Sequence, residues 1–216
     1  MTTYPLSLAL EDFVPVIFAS LGYFWIVETL TKGHDEARML GRVGTGLLTV
    51  GGLSKATWKL VIAVSAGAHD IVLLDKQLFF FLATGFICVA SALLAVRRGW
   101  RAPLYPTIAC ALVVVVIAGV MYAQGMRAYR GTLIAVMVLT NTTTLVLAIQ
   151  AARRRASTVA ALAIGAYLVT GFVMSALSRL DHSVGLQWML QSVNSAGALG
   201  LLLGARLLKN APPPPA

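Results

Sequence analysis

Acidic residues are scarce in this chain: 8 Asp and Glu stand against 17 Lys and Arg in 216 residues, and charged residues of all kinds make up 12%. A soluble domain carries roughly a quarter of its residues as charges, so a water-solvated globular surface is excluded. Cysteine is rarer still. Cys88 and Cys110 both fall within apolar runs and no CxxC spacing occurs, which leaves small apolar filler as their reading in place of a disulfide framework or a thiolate metal site. Phosphate loops, dinucleotide fingerprints and HExxH are all missing, and "GGLS" has no strand-turn-helix context for a nucleophile elbow.

What remains is apolar. Hydrophobic residues make up 58% of the chain and the mean hydropathy is +0.82. About 20 apolar residues are needed to cross a bilayer as a helix. Seven such runs occur, near 9–30, 40–64, 75–96, 104–123, 132–152, 158–178 and 186–207. The expected fold is therefore all-α, a polytopic bundle of seven transmembrane helices forming one domain over residues 1–210, with "APPPPA" at 211–216 as a disordered tail. Short breaks make consecutive helices antiparallel neighbours. Glu11 and Asp12, and no positive segment, stand at the start of the first apolar run, so it is expected to be retained as a span and not cleaved.

The net charge of +9 finds its explanation in topology and not in nucleic acid. Lys32, Arg38, Arg42, Arg97, Arg98, Arg101, Arg153, Arg154, Arg155, Arg206 and Lys209 fall on one side, and only Lys76, Arg127, Arg130 and Arg179 on the other. Positive residues concentrate on the cytoplasmic side, which puts the N-terminus outside and the C-terminus inside. Membrane lipids then suffice as partners of the basic rim, and arginine and alanine usage fits a bacterial inner membrane. Gly41, Gly44, Gly46, Gly197, Gly200 and Gly204 offer small-residue seams for close helix approach, either within the chain or toward a second copy or a larger complex.

The second run carries the unusual feature. "GGLSKATWKL" places Lys55 and Lys59 four residues apart on one face, beside Trp58. Lys55 lies 13 residues from Arg42 and 14 from His69, roughly 20 Å from each at 1.5 Å per residue, which is near the midplane. A lysine at that depth costs about 2.5 to 3.5 kcal/mol, and the nine large apolar residues of the run return roughly 3 to 5 kcal/mol together. The two lysines should therefore turn inward to counter-charges. Glu11, Asp12 and Asp75 are the available acids, with Pro15 bending the first run nearby. Asp12 or Glu11 is expected against Lys59, with Lys55 deeper and less well paired. Unlike arginine, lysine can switch its proton, so these groups suit a binding or exchange site.

A polar stripe in the last run, Gln187, Gln191, Asn194 and Ser195, points into the bundle, as do Asn141 and Tyr167 from the fifth and sixth runs. The expected site is an outer-half polar cavity. Lys55, Lys59, Asp12, Asp75, Gln191 and Asn194 line it, and Glu11, Trp58, Asn141 and Tyr167 stand behind them. It would bind or translocate a small anionic or amphipathic ligand. A membrane enzyme acting on a lipid or isoprenoid, with Lys55 as base, and an accessory subunit of a larger complex are the alternatives. No cofactor is expected. The topology matches that of microbial rhodopsins, but those hold retinal on a lysine of the last helix, where this chain has none before Lys209. His69, Asp70, Asp181 and His182 could together hold a divalent ion across two loops, although Asp70 and Asp181 also stand where helix caps belong.

Overall fold

The computed structural model describes residues 5–100, 102–177 and 183–212, with 175 and 176 described by backbone alone. Arg101, Arg179, Asp181, His182 and the last four residues of the tail lie outside the described residues. Helices account for nearly everything described: α1 (Leu6–Glu11), α2 (Phe13–Leu30), α3 (Asp35–Val64), α4 (Val72–Arg98), α5 (Leu104–Ala123), α6 (Ala128–Arg154), α7 (Thr158–Leu177) and α8 (Val184–Asn210). Helices α1 and α2 are one rod interrupted at Asp12. Pro15 supplies the reason, because it has no N–H to donate to the carbonyl four residues earlier, that of Glu11. Seven rods result, as the apolar runs predict.

Most helices run past the limits of their apolar runs, since backbone hydrogen bonding continues into polar ends that hydropathy leaves out. Five rods are long and apolar enough to cross a membrane: Leu6–Leu30, Asp35–Val64, Val72–Arg98, Leu104–Ala123 and Ala128–Arg154. The apolar stretch of α7 is shorter, Thr158–Met174, and α8 is diluted by its amide stripe. Gly99 ends α4 in the left-handed conformation (φ 67°), and Trp100 N–H returns to Ala95 O at 2.9 Å, a termination for which glycine avoids the Cβ penalty. Helix α8 stops at Asn210, and Ala211 is already extended (ψ 143°), as a residue followed by proline prefers.

Packing partners define a ring. Helix α2 packs on α3 and α8, α3 on α4, α4 on α6, α6 on α7, and α7 on α8. Helix α5 stands outside this ring, against α4 and α6. The apolar centre joins Tyr23, Val27, Val89, Leu145, Ile164 and Leu201, one or two from each of five ring helices. The outer surface is apolar as well: Leu112 and Val116 of α5, Leu139 of α6 and Leu162 of α7 are all more than half exposed. A helical bundle that is apolar inside and outside is the pattern of a membrane-embedded chain.

The glycine seams are used within the chain. A Cβ on Gly44 would stand 2.7 Å from Gly85 O, and one on Gly85 would stand 2.8 Å from Gly44 O, so α3 and α4 touch backbone to backbone there. A Cβ on Gly41 would meet Val27 of α2, one on Gly197 would meet Thr170 of α7, and one on Gly204 would meet Ile164 of α7. Gly46 is different, with open space around it.

Candidate functional site

Five rods bring polar groups to one end of the ring, the end that carries the α3–α4 connection. Helix α3 continues to Val64, so Lys55 sits nine residues from its terminus, roughly 14 Å by helical rise. The end of α3 coincides with that of the apolar run near 40–64.

Both lysines meet carboxylates. Lys59 Nζ lies 2.6 Å from Asp12 Oδ2, a partner offered by the interruption between α1 and α2. Lys55 pairs with Asp75 in the first turn of α4 and stands over the Trp58 ring, 4.0 Å from its centroid. The expectation that Lys55 would be the less well paired lysine is thus corrected, since Asp75 serves it directly. The α3–α4 connection turns back at once after Val64, which sets the start of α4 beside the last turns of α3. Asp75 also receives Arg130 of α6 at 3.4 Å. Glu11 is not a lysine partner; its carboxylate accepts from Ser195 Oγ of α8 at 2.7 Å.

A cavity of about 410 Å³ opens between these groups. Asp12, Lys55, Lys59, Gln191 and Asn194 line its polar side, and the Tyr23, Asn141 and Tyr167 side chains its deeper part. The Tyr23 hydroxyl donates to Asn141 Oδ1, and the Tyr23 ring meets Phe86 and Tyr167 edge-on, at 5.4 and 6.2 Å between centroids. Val16, Leu48, Leu78 and Leu82 supply the apolar wall. Asp75 stands behind Lys55 and is not part of the lining. Gln191 is only 7% exposed, and its Nε2 has no acceptor among the described residues. A buried amide left without a partner carries a desolvation penalty of about 1 to 3 kcal/mol. The cavity is therefore a place where an acceptor would be stabilised.

Each lysine of the lining has a carboxylate partner, Asp12 within the cavity and Asp75 behind it. The partly apolar cavity lies within the usual size range of small-molecule sites. Sequence reasoning overlooked Tyr23, hidden in an apolar run, and Arg130, which the topology count treated as a loop charge.

Of the loop groups weighed as a metal site, only His69 and Asp70 lie among the described residues. Among the described residues no three His, Cys, Asp or Glu side chains gather closely enough to hold an ion. Asp70 neither ligates nor caps: α4 is preceded by Ile71 without a side-chain cap, and Asp70 accepts from Trp58 Nε1 at 2.8 Å. His69 contacts Ser65 only through its backbone. Asp181 and His182 lie outside the described residues. Ser183, next to them, does cap its helix by accepting from Leu186 N–H at 3.2 Å. Comparison with family models, with curated proteins and with solved structures finds no match for this chain, so the cavity's chemistry rests on its own residues.

Proposed function

We propose that the chain is a seven-span membrane protein with its N-terminus outside, whose outer-half cavity binds or passes a small amphipathic ligand. The eleven-to-four distribution of Lys and Arg supports this orientation. The carrying observation is Gln191, whose buried Nε2 has no acceptor among the described residues and whose side chain helps line a cavity shared with the Lys59 and Asp12 ion pair. The ligand's polar head supplies the missing acceptor to Gln191 and lies between ammonium and carboxylate, and its apolar part lies along Val16, Leu48, Leu78 and Leu82. Local charge balance favours a zwitterionic or neutral head over a simple anion, since an anion would have to displace Asp12 from Lys59.

Binding is favoured over catalysis by the same pairing. Lys55 is engaged by Asp75 and by the Trp58 ring, and a general base needs to stand within reach of the proton that it takes. A docking role for the glycine faces is weakened by their use inside the chain.

The test is a thermal-shift titration of the detergent-solubilised protein with lysophosphatidylcholine and with oleate, as zwitterionic and anionic amphiphiles. Lysophosphatidylcholine should stabilise the protein and Gln191→Leu should weaken that effect about tenfold or more, as loss of a buried hydrogen bond implies. Equal response of wild type and Gln191→Leu to both amphiphiles would remove the cavity as the binding site.

A further inference from the structure

A second cavity, of about 390 Å³, lies at the opposite end of the bundle, between the last turns of α4 and α6 and beside α2. Its polar lining is Arg97, Gln150, Arg154 and Arg155, and no Asp or Glu takes part. In the first cavity, by contrast, both lysines are paired with carboxylates. None of the ion pairs among the described residues engages any of these three arginines. Arg97 Nη1 donates to Gln150 Oε1 at 2.6 Å, which holds the guanidinium across the α4–α6 cleft and leaves its other N–H groups to be satisfied. Arg155 Nη1 reaches Leu208 O at 3.3 Å, which ties the loop after α6 to the last turns of α8.

Arginines at helix C-termini also offset the negative end of the helix dipole. Three helices end here, α4, α6 and α2, whose last residue Leu30 lines the cavity, and each contributes about half a negative charge. Three guanidiniums exceed that by about one and a half positive charges. The surplus calls for an anion. Guanidinium forks match phosphate oxygens bidentately, and the Gln150 amide N–H groups remain available as further donors. The rest of the lining is apolar, with Leu30, Leu93, Val96 and Leu147 below the arginines. A free phosphate has no use for that wall, whereas a glycerolipid does.

We infer that this basic cavity is a binding site for the phosphate headgroup of an anionic phospholipid, with Arg97, Arg154 and Arg155 on the phosphate and the apolar wall against the lipid's glycerol and upper acyl carbons. Basic pockets between membrane helices take such headgroups. The site is separate from the outer-half cavity and stands whether or not that cavity binds an amphiphile.

The experiment uses the full chain in dodecylmaltoside micelles. Native mass spectrometry would count dioleoyl phosphatidylglycerol or dioleoyl phosphatidylcholine retained after both are added in equal amount, and a parallel thermal-shift series would add inorganic phosphate without lipid. Phosphatidylglycerol should be retained about tenfold over phosphatidylcholine, and Arg97→Gln with Arg154→Gln should abolish the preference, as expected for loss of charged donors. Arg153→Gln, one position away and outside the lining, should keep it. If the double variant is not recovered folded, Arg154→Gln alone carries the test, because Arg154 is exposed. Equal loss on Arg153→Gln would overturn the site in favour of diffuse charge attraction. Stabilisation by inorganic phosphate equal to that by the lipid would overturn the lipid as occupant.

Discussion

Lys59 and Asp12 meet across the gap between α3 and the α1–α2 junction, Nζ to Oδ2 at 2.6 Å, and their side chains are 18% and 10% exposed. The pair is mostly withdrawn from solvent, and withdrawing two charges is costly unless they compensate each other. Removing one partner should therefore cost more than removing both. Lys59→Met and Asp12→Leu are each expected to destabilise by about 3 to 5 kcal/mol, and the double variant by clearly less than their sum. Unfolding in mixed sodium dodecyl sulfate and dodecylmaltoside micelles measures all three; strict additivity would show that the pair is not coupled.

Asp75 is shared by Lys55 and Arg130, so it acts as the hub of that corner. Asp75→Asn leaves two cations side by side, while Arg130→Gln removes one exposed and longer contact. The first should destabilise clearly, and the second by no more than about 1 kcal/mol, the usual contribution of an exposed pair. The same unfolding assay ranks them.

Gln191 offers a prediction in which stability and binding move in opposite directions. Gln191→Leu deletes a buried donor that has no acceptor among the described residues and keeps a similar volume, so the unliganded protein should become more stable by about 1 kcal/mol. Binding of lysophosphatidylcholine should weaken at the same time. Loss of stability in the unliganded variant would show that the amide has a structural partner.

Gly44 and Gly46 separate packing from backbone preference. Gly44→Ala drives a methyl to 2.7 Å from Gly85 O, which is backbone and cannot step aside; a loss of about 1 to 3 kcal/mol is expected from overpacking. Gly46→Ala meets nothing within 4 Å and should gain roughly 0.5 to 1 kcal/mol through reduced chain entropy. Thermal unfolding of the two variants side by side reads the difference.

The two cysteines report on the ring. Cys88 is buried between α3 and α4, and Cys110 is exposed on the outward side of α5. In detergent, a membrane-permeant maleimide should label Cys110 before Cys88, which should react only on unfolding. Mass spectrometry after timed labelling distinguishes them, and rapid labelling of Cys88 would contradict the α3–α4 seam.

Much of this architecture is legible in the sequence because lipid imposes a strong rule: a span must be long, apolar and internally hydrogen-bonded. That rule locates every rod to within a few residues and predicts that Lys59 needs an acid. It does not say where a helix stops in polar sequence, and so α3 begins at Asp35 although its apolar run begins near 40. Pairing across helices depends on which rods adjoin. Asp75 reaches Lys55 only because the α3–α4 connection is tight, and Arg130 joins only because α6 packs on α4. Tyr23 is invisible for a further reason: one hydroxyl in "GYFW" barely changes hydropathy, yet it meets Asn141 across the bundle. The position of α5 outside the ring is equally hidden, since its composition resembles that of its neighbours.

The interruption at Asp12 has a mechanical corollary. Two successive acids at that joint reach in different directions, Glu11 to Ser195 of α8 and Asp12 to Lys59 of α3. The short opening segment Leu6–Glu11 is thereby moored at two points to separate walls. Neutralising either carboxylate would free it from one wall while the other mooring holds, so the two anchorages can be released independently.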